Sequence, residues 1–175
     1  EITKFPGDTI YYHGYWIDAS WFRSYKDILR KELSFPPITD SRNQNYAGQI
    51  ASSQSIGIHI RRGDYATLGW TLPNSYYSES IKNVLTEYPD SFLFVFSDDL
   101  DWCRRNADLL GLNLTSNVVY VEGNKENLSY CDMQLMSMCN GLIMSNSAFC
   151  YLAALLSKNA AIFAEPSNMN NGHNA

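Results

Sequence analysis

From Ser55 onward, short β-branched runs alternate with amphipathic helical stretches, and this alternation restricts the fold more than any single residue does. SIGIHIR (55–61) reads as a strand. NSYYSESIKNVLTEYP (74–89) sets Tyr77, Ile81, Val84, Leu85 and Tyr88 at helical spacing, with Pro89 just past the end. SFLFVFSDD (91–99) is a continuous apolar run of strand length, the kind that a sheet covered on both faces requires. DLDWCRRNADLLG (99–111) reads as one helix stopped by Gly111, and NVVYVEG (117–123) as a strand. KENLSYCDMQLMSMCNG (125–141) is helical, with Leu128, Cys131, Leu135 and Met138 along one stripe. LIMSN (142–146), SAFCYLAALLSKN (147–159) and AAIFAEP (160–166) continue as strand, helix and strand. Strands alternating with helices at these lengths predict an α/β fold, a Rossmann-like, doubly wound parallel sheet with helices on both faces. In such sheets ligands bind beyond the carboxyl ends of the strands.

The first 54 residues read differently. DASWFRSYKDILRKEL (18–33) is predicted helical, capped by Asp18 or Ser20, with Phe22, Tyr25, Ile28, Leu29 and Leu33 as its apolar face. SFPPITDSRNQNYAGQIASSQ (34–54) is polar and contains prolines, and reads as a connection. Two units are therefore expected: a helical and looped lead-in over 1–54, truncated at its start, and the Rossmann-like domain over 55–175.

The 175 residues, 45% of them hydrophobic, suit one compact core. A formal charge of −5 and a pI near 5.1 argue against a nucleic-acid partner. Cys103, Cys131, Cys139 and Cys150 show no CxxC spacing, so neither a zinc site nor a disulfide framework is expected. No apolar run approaches the roughly 20 residues that span a bilayer.

Within an acidic chain the pair Arg61-Arg62 stands out, directly after the strand SIGIHI. A guanidinium at a strand's carboxyl end can fork onto two phosphate oxygens. His59 projects on the same strand face as Arg61, Gly63 permits a tight turn, and Asp64 can brace a guanidinium or act on a substrate hydroxyl. The same letters also fit a solvated basic turn, or an adhesion loop through Arg62-Gly63-Asp64. After FLFVF come Ser97, Asp98 and Asp99; Asp99-Leu100-Asp101 spells a DxD pattern of metal-binding sugar transferases, and helix capping explains it equally well. Asp132 lies beside an apolar stripe, where a carboxylate either caps a late helix start or accepts hydrogen bonds from a ligand, such as guanine's ring N–H and amino group. Ser145, Asn146 and Ser147 stand between a strand and a helix, a place for a phosphate or an ordinary cap.

Together these pieces resemble a known family. GIHIRRGDY resembles the HxRRxD motif of the α-1,2-fucosyltransferases and, more widely, of the α-1,6- and protein O-fucosyltransferases. FLFVFSDD and DMQLMSMCNGLIMSNSAFCYLAALL are similar to later motifs of the α-1,2 group, and YYHGYWIDASWF to the segment leading into this domain. The resemblance implies a GT-B-like nucleotide-sugar-binding domain and inverting transfer of L-fucose from GDP-fucose to the 2-hydroxyl of a galactose-terminated acceptor, with no metal or other cofactor. Arg61 would bind the diphosphate and assist its departure. An inverting displacement also needs a carboxylate to take the acceptor's proton, for which Asp64 is the candidate. His59 would lie by the ribose and phosphate, and Asp132 would face the guanine. Ser147 would meet the phosphates, with Asp98 and Asn146 beside the donor. Arg62 and Asp64 would shape the loop over the fucose. It further implies a cytoplasmic setting for a bacterial protein, the Golgi lumen for a eukaryotic one, and peripheral membrane association of a full-length protein. The chain departs from the family pattern in lacking the Gly-rich amino-terminal segment, and in Ala148 and Cys150-Tyr151 after Asn146-Ser147. A non-catalytic nucleotide-sugar or glycan-binding module derived from such enzymes is the alternative.

Overall fold

The computed structural model describes residues 2–4, 10–12, 24–158 and 160–166. Strands β1 (Ile2–Lys4) and β2 (Ile10–Tyr12) form an antiparallel pair with Ile2 opposite Tyr12. Helices α1 (Lys26–Glu32) and α2 (Ser41–Ala51) lead to β3 (Ser55–Ile60), a short helix α3 (Gly63–Leu68) and α4 (Asn74–Glu87). Next come β4 (Phe92–Ser97), α5 (Leu100–Arg105), α6 (Ala107–Leu110) and β5 (Val118–Tyr120). The remainder is α7 (Ser129–Met138), β6 (Gly141–Ile143), α8 (Ala148–Leu156) and β7 (Ala161–Ala164).

The five later strands pair in the order β5-β4-β3-β6-β7, and each pairing is parallel. The chain thus runs outward from β3 to one edge, returns, and runs outward again through β6 to the other. This is the Rossmann-like, doubly wound order expected from the sequence. Alternate residues feed two cores, as strand geometry requires. Ile56, Ile58, Ile60, Leu93 and Val95 pack with α4 and α5 through Tyr77, Ile81 and Cys103. Phe94, Phe96 and Leu142 pack on the opposite face with Leu135 and Met136 of α7 and Ala153 of α8.

Four local expectations change. Residues 34–54 are no mere connection, because α2 occupies 41–51. Its N-cap Asp40 accepts from the backbone N–H of Asn43 at 2.9 Å, and Ile50, 1% exposed, enters the second core. The helix expected over 99–111 breaks into α5 and α6 at Asn106, whose side-chain amide donates to the Trp102 carbonyl; Gly111 ends α6 in the left-handed region at φ 77°. The stripe expected on α7 is half right: Cys131 and Leu135 are buried, while Leu128 and Met138 are exposed. Leu128 belongs to a single 3-10 turn before α7, out of phase with it, and within α7 Met136 rather than Met138 joins Cys131 and Leu135 inside.

Tyr25, Ile28 and Leu33 of the predicted α1 face are likewise exposed. Arg30 ties α1 down instead, donating through Nε to the Leu155 carbonyl at 2.8 Å and through Nη2 to that of Ser157. These lie at the C-terminus of α8, where free carbonyls favour a cation. The expected start of that helix, including Asp18, Ser20 and Phe22, lies outside the described residues. Among the described residues no helix is long and apolar enough to cross a membrane.

The place of Ile50 is testable. Ile50→Ala should lower unfolding free energy by roughly 2–5 kcal/mol, as buried Ile truncations do. A change within about 0.5 kcal/mol in urea unfolding, the size of a surface substitution, would return α2 to the status of a connection.

Candidate functional site

The order of the sheet reverses between β3 and β6. Such a switch point opens a crevice at the carboxyl ends of the two strands, because their connections leave in opposite directions. His59, next to last in β3, is 6% exposed and faces the α8 side. Its Nδ1 lies 2.7 Å from Ser145 Oγ, just past β6, and its ring stacks on Phe149 at 5.6 Å between centroids. Burial, and then the neighbouring charge of Arg61, push the imidazole down to about 3. At neutral pH it is uncharged and offers one donor and one acceptor.

Arg61 is held by two carboxylates, Asp64 at 2.8 Å and Asp98 at 3.0 Å. Asp98 is the keystone of the turn, because its other oxygen accepts from the backbone N–H of Arg62 at 2.8 Å. Gly63 makes this approach possible: a Cβ there would stand 2.5 Å from Asp98 Oδ2. Arg62 itself turns away, with its guanidinium 3.8 Å above the Trp102 ring. The tripeptide Arg62-Gly63-Asp64 is therefore a strand end folding into α3.

Beside these residues lies a cavity of about 430 Å³, in the size range of small-molecule sites. His59, Arg61, Phe96, Asp98, Asp132 and Phe149 line it. A second cavity of about 250 Å³ shares Asp98, Asn124 and Asp132 with the first. Asp132, near the start of α7, accepts from Asn124 Nδ2 at 2.8 Å. Burial pushes its carboxyl up to about 6, against the opposing effects of that hydrogen bond and of Arg42.

Of the residues singled out in the sequence, His59, Arg61, Asp98 and Asp132 converge on one cavity. Asp64 reaches it only through Arg61. Asn146 donates to the Trp70 carbonyl at 2.8 Å, and Ser147 caps α8 by accepting from the Phe149 N–H. Asp99 caps α5 by accepting from the Trp102 N–H at 3.0 Å, and Asp101 pairs with Arg104 at 3.3 Å. Both carboxylates of the DxD pattern thus serve local structure, and among the described residues no three His, Cys, Asp or Glu side chains group as metal ligands would. Sequence reading missed Asn43 and Asn124, whose only signal is their meeting in space. It also gave Phe149 no role, although the helix start in which it lies was recognised.

The Asp132 carboxyl has a consequence for stability. Its folded value of about 6 exceeds the ordinary aspartate value of 3.8, so the folded state holds the proton across that window. Its contribution is full below pH 3.8 and is lost as pH rises through about 6. Asp132→Asn should therefore gain stability relative to wild type, by roughly 1–3 kcal/mol, between pH 4 and 7. Urea unfolding at both pH values checks this, and a difference independent of pH contradicts it.

Comparison with known proteins identifies the family. The family model described as glycosyl transferase family 11 matches residues 1–174. An alpha-1,2-colitosyltransferase of Escherichia coli is 30% identical over 150 residues, covering 82% of this chain and 50% of that protein. Galactoside alpha-(1,2)-fucosyltransferase 2 of Gorilla gorilla gorilla is 24% identical over 174 residues, covering 93% of this chain and 50% of that protein. Among solved structures, the fucosyltransferase NodZ from Bradyrhizobium aligns with 90% of this chain and 64% of its own at a TM-score of 0.46 and 14% identity. The chain spans about half the length of these two curated relatives. With a family model matched along nearly the whole sequence, the chain belongs to glycosyl transferase family 11.

Proposed function

We propose that this chain carries the donor site of a glycosyltransferase that moves L-fucose from GDP-fucose to the 2-hydroxyl of a galactoside acceptor, with inversion and without a metal. The observation that carries the reading is the meeting of His59, Arg61 and Asp132 in one cavity at the switch point of the sheet. The diphosphate lies against Arg61. Asp64 accepts from one of the five N–H donors of the Arg61 guanidinium and Asp98 pairs with it as a counter-charge at 3.0 Å, and the other donors are left for phosphate oxygens. Neutral His59 adds a hydrogen bond without adding charge, and the guanine turns its N–H groups to Asp132.

As the bond from fucose to oxygen stretches, negative charge grows on the departing phosphate. A guanidinium already fixed by two carboxylates stabilises that charge without reorganising, which favours the transition state over the ground state. Asp64 Oδ1 accepts from Arg61 and from the Tyr65 N–H, so Oδ2 serves as the base that takes the proton of the acceptor hydroxyl. Its carboxylate is 57% exposed, open to an acceptor arriving from solvent. Colitose, named for the bacterial relative, is the donor sugar to compare with fucose.

Titrating GDP into the chain calorimetrically, in EDTA and then with Mn²⁺, tests the donor site. Binding should be independent of metal, and Arg61→Ala should weaken it by roughly ten- to a hundredfold, the worth of a charge-assisted contact. A requirement for Mn²⁺, or full affinity in the variant, sinks this arrangement. Asp64→Asn separates the two parts of the reading. It should leave GDP affinity within about threefold while lowering fucose transfer by at least about a hundredfold, as loss of a general base does. GDP affinity without transfer or donor hydrolysis, even in a chain extended to the relatives' length, would instead describe a binding module.

A further inference from the structure

Asn43 of α2 and Asn124, between β5 and α7, lie 81 residues apart in sequence and are 1% and 7% exposed. Their amides pair reciprocally, each Nδ2 donating to the other's Oδ1 at 2.8 Å. The second N–H of each goes to a carboxylate: Asn43 donates to Asp40 Oδ2 at 3.0 Å, and Asn124 to Asp132 Oδ1 at 2.8 Å. All four amide N–H bonds are thereby used. The direction of both amides is also fixed, because turning either one over would aim a carbonyl oxygen at a carboxylate. Buried amides satisfied this completely hold one geometry.

We propose that the Asn43–Asn124 pair positions Asp132 for base recognition, so that α2 takes part in selecting a guanine nucleotide. This rests on the donor site proposed above. With Oδ1 of Asp132 tied to Asn124, the second oxygen and the remaining lone pairs are presented to the cavity as acceptors in a set direction. Guanine offers two donors side by side, the ring N1–H and the 2-amino group, and a carboxylate accepts both only when its plane is aligned with them. Arg42 secures the same arrangement from the preceding position of α2, donating to the Gly123 carbonyl at 2.9 Å and holding the turn that carries Asn124. Asn43 and Asn124 are positioning residues, since they reach the ligand only through Asp132.

The test compares GDP with IDP, whose base lacks only the 2-amino group. In wild type, GDP should bind about tenfold or more tightly than IDP, the worth of one hydrogen bond to a charged acceptor. Asn124→Ala should reduce that ratio to about threefold or less, and Asn43→Ala should reduce it in the same direction. Gln44→Ala, on the exposed face of α2, should leave it unchanged. A merely structural role lowers both affinities alike through the folded fraction and leaves their ratio intact, so a partly unfolded variant remains informative. If Asn124→Ala does not fold, Asn43→Ala decides. A wild-type ratio of about ten that persists in the folded variants overturns the positioning role and leaves the donor site standing. No GDP binding by wild type, or equal binding of GDP and IDP, overturns the donor-site reading and this inference with it.

Discussion

The parallel pairing of β3 on both of its edges is the constraint on which everything else depends. Ser55 to Ile60 run beside β4 over their full length, and Ile56 to Ile58 beside β6. A strand paired on both sides and covered on both faces has no freedom of register, because a slip by one residue would exchange its two cores. Ile56, Ile58 and Ile60 are committed to one core, which leaves position 59 to the other. There His59 meets Ser145 from the neighbouring strand end and Phe149 from the helix that follows. Arg61 emerges where pairing stops, and must take its partners from the next turn and the next strand, Asp64 and Asp98.

Those two carboxylates explain how an arginine is kept in a fixed pose before any ligand arrives. A lone guanidinium on a strand end would sample many rotamers and lose that freedom on binding. Held from both sides in a partly exposed setting, it loses less when an anion reaches it. The arrangement leaves the Arg61 cluster with a local charge of −1 when both carboxylates are ionised. In the donor site proposed above, attraction for a diphosphate would rest on short directed hydrogen bonds rather than on the field of the protein, whose formal charge is −5.

What the sequence made legible follows from where its signals are local. The alternation of strand and helix was readable because each run carries its own periodicity, and strand ends were readable as candidate sites because a parallel sheet places ligands there. His59, Arg61 and Asp98 follow from that rule, Asp132 stood out as a carboxylate beside an apolar stripe, and all four meet in the cavity. Arg62 differs because its direction depends on Trp102, which lies on another helix. Helix α2 was hidden for a related reason. Its inward residues include Asn43, a type that reads as turn or loop, and its burial makes sense only against Asn124, 81 positions away. A buried polar pair leaves no periodic trace, because its stabilising partner belongs to a different part of the chain.

The two ends of the cavity place opposite demands on the protein. A diphosphate needs cations and donors, whereas the N–H edge of a guanine needs an acceptor, and a carboxylate close to phosphate would repel it. In the proposed site the acceptor for the base lies on a different element from Arg61, and the carboxylate that lines the cavity beside Arg61, Asp98, is ion-paired with it at 3.0 Å. Arg61 stands at the β3 end, Asp132 at the start of α7, and His59, held neutral by burial, joins Arg61 on the lining without adding a charge of either sign. The acceptor end also has to stay ionised in a half-buried place, which burial opposes and the N–H of Asn124 favours. A carboxyl poised near 6 is the balance of burial against that hydrogen bond and the charge of Arg42, through which the segment that precedes the sheet contributes. Helix α2 thus belongs to the second core through Ile50 and, through Asn43 and Arg42, to the surroundings of Asp132.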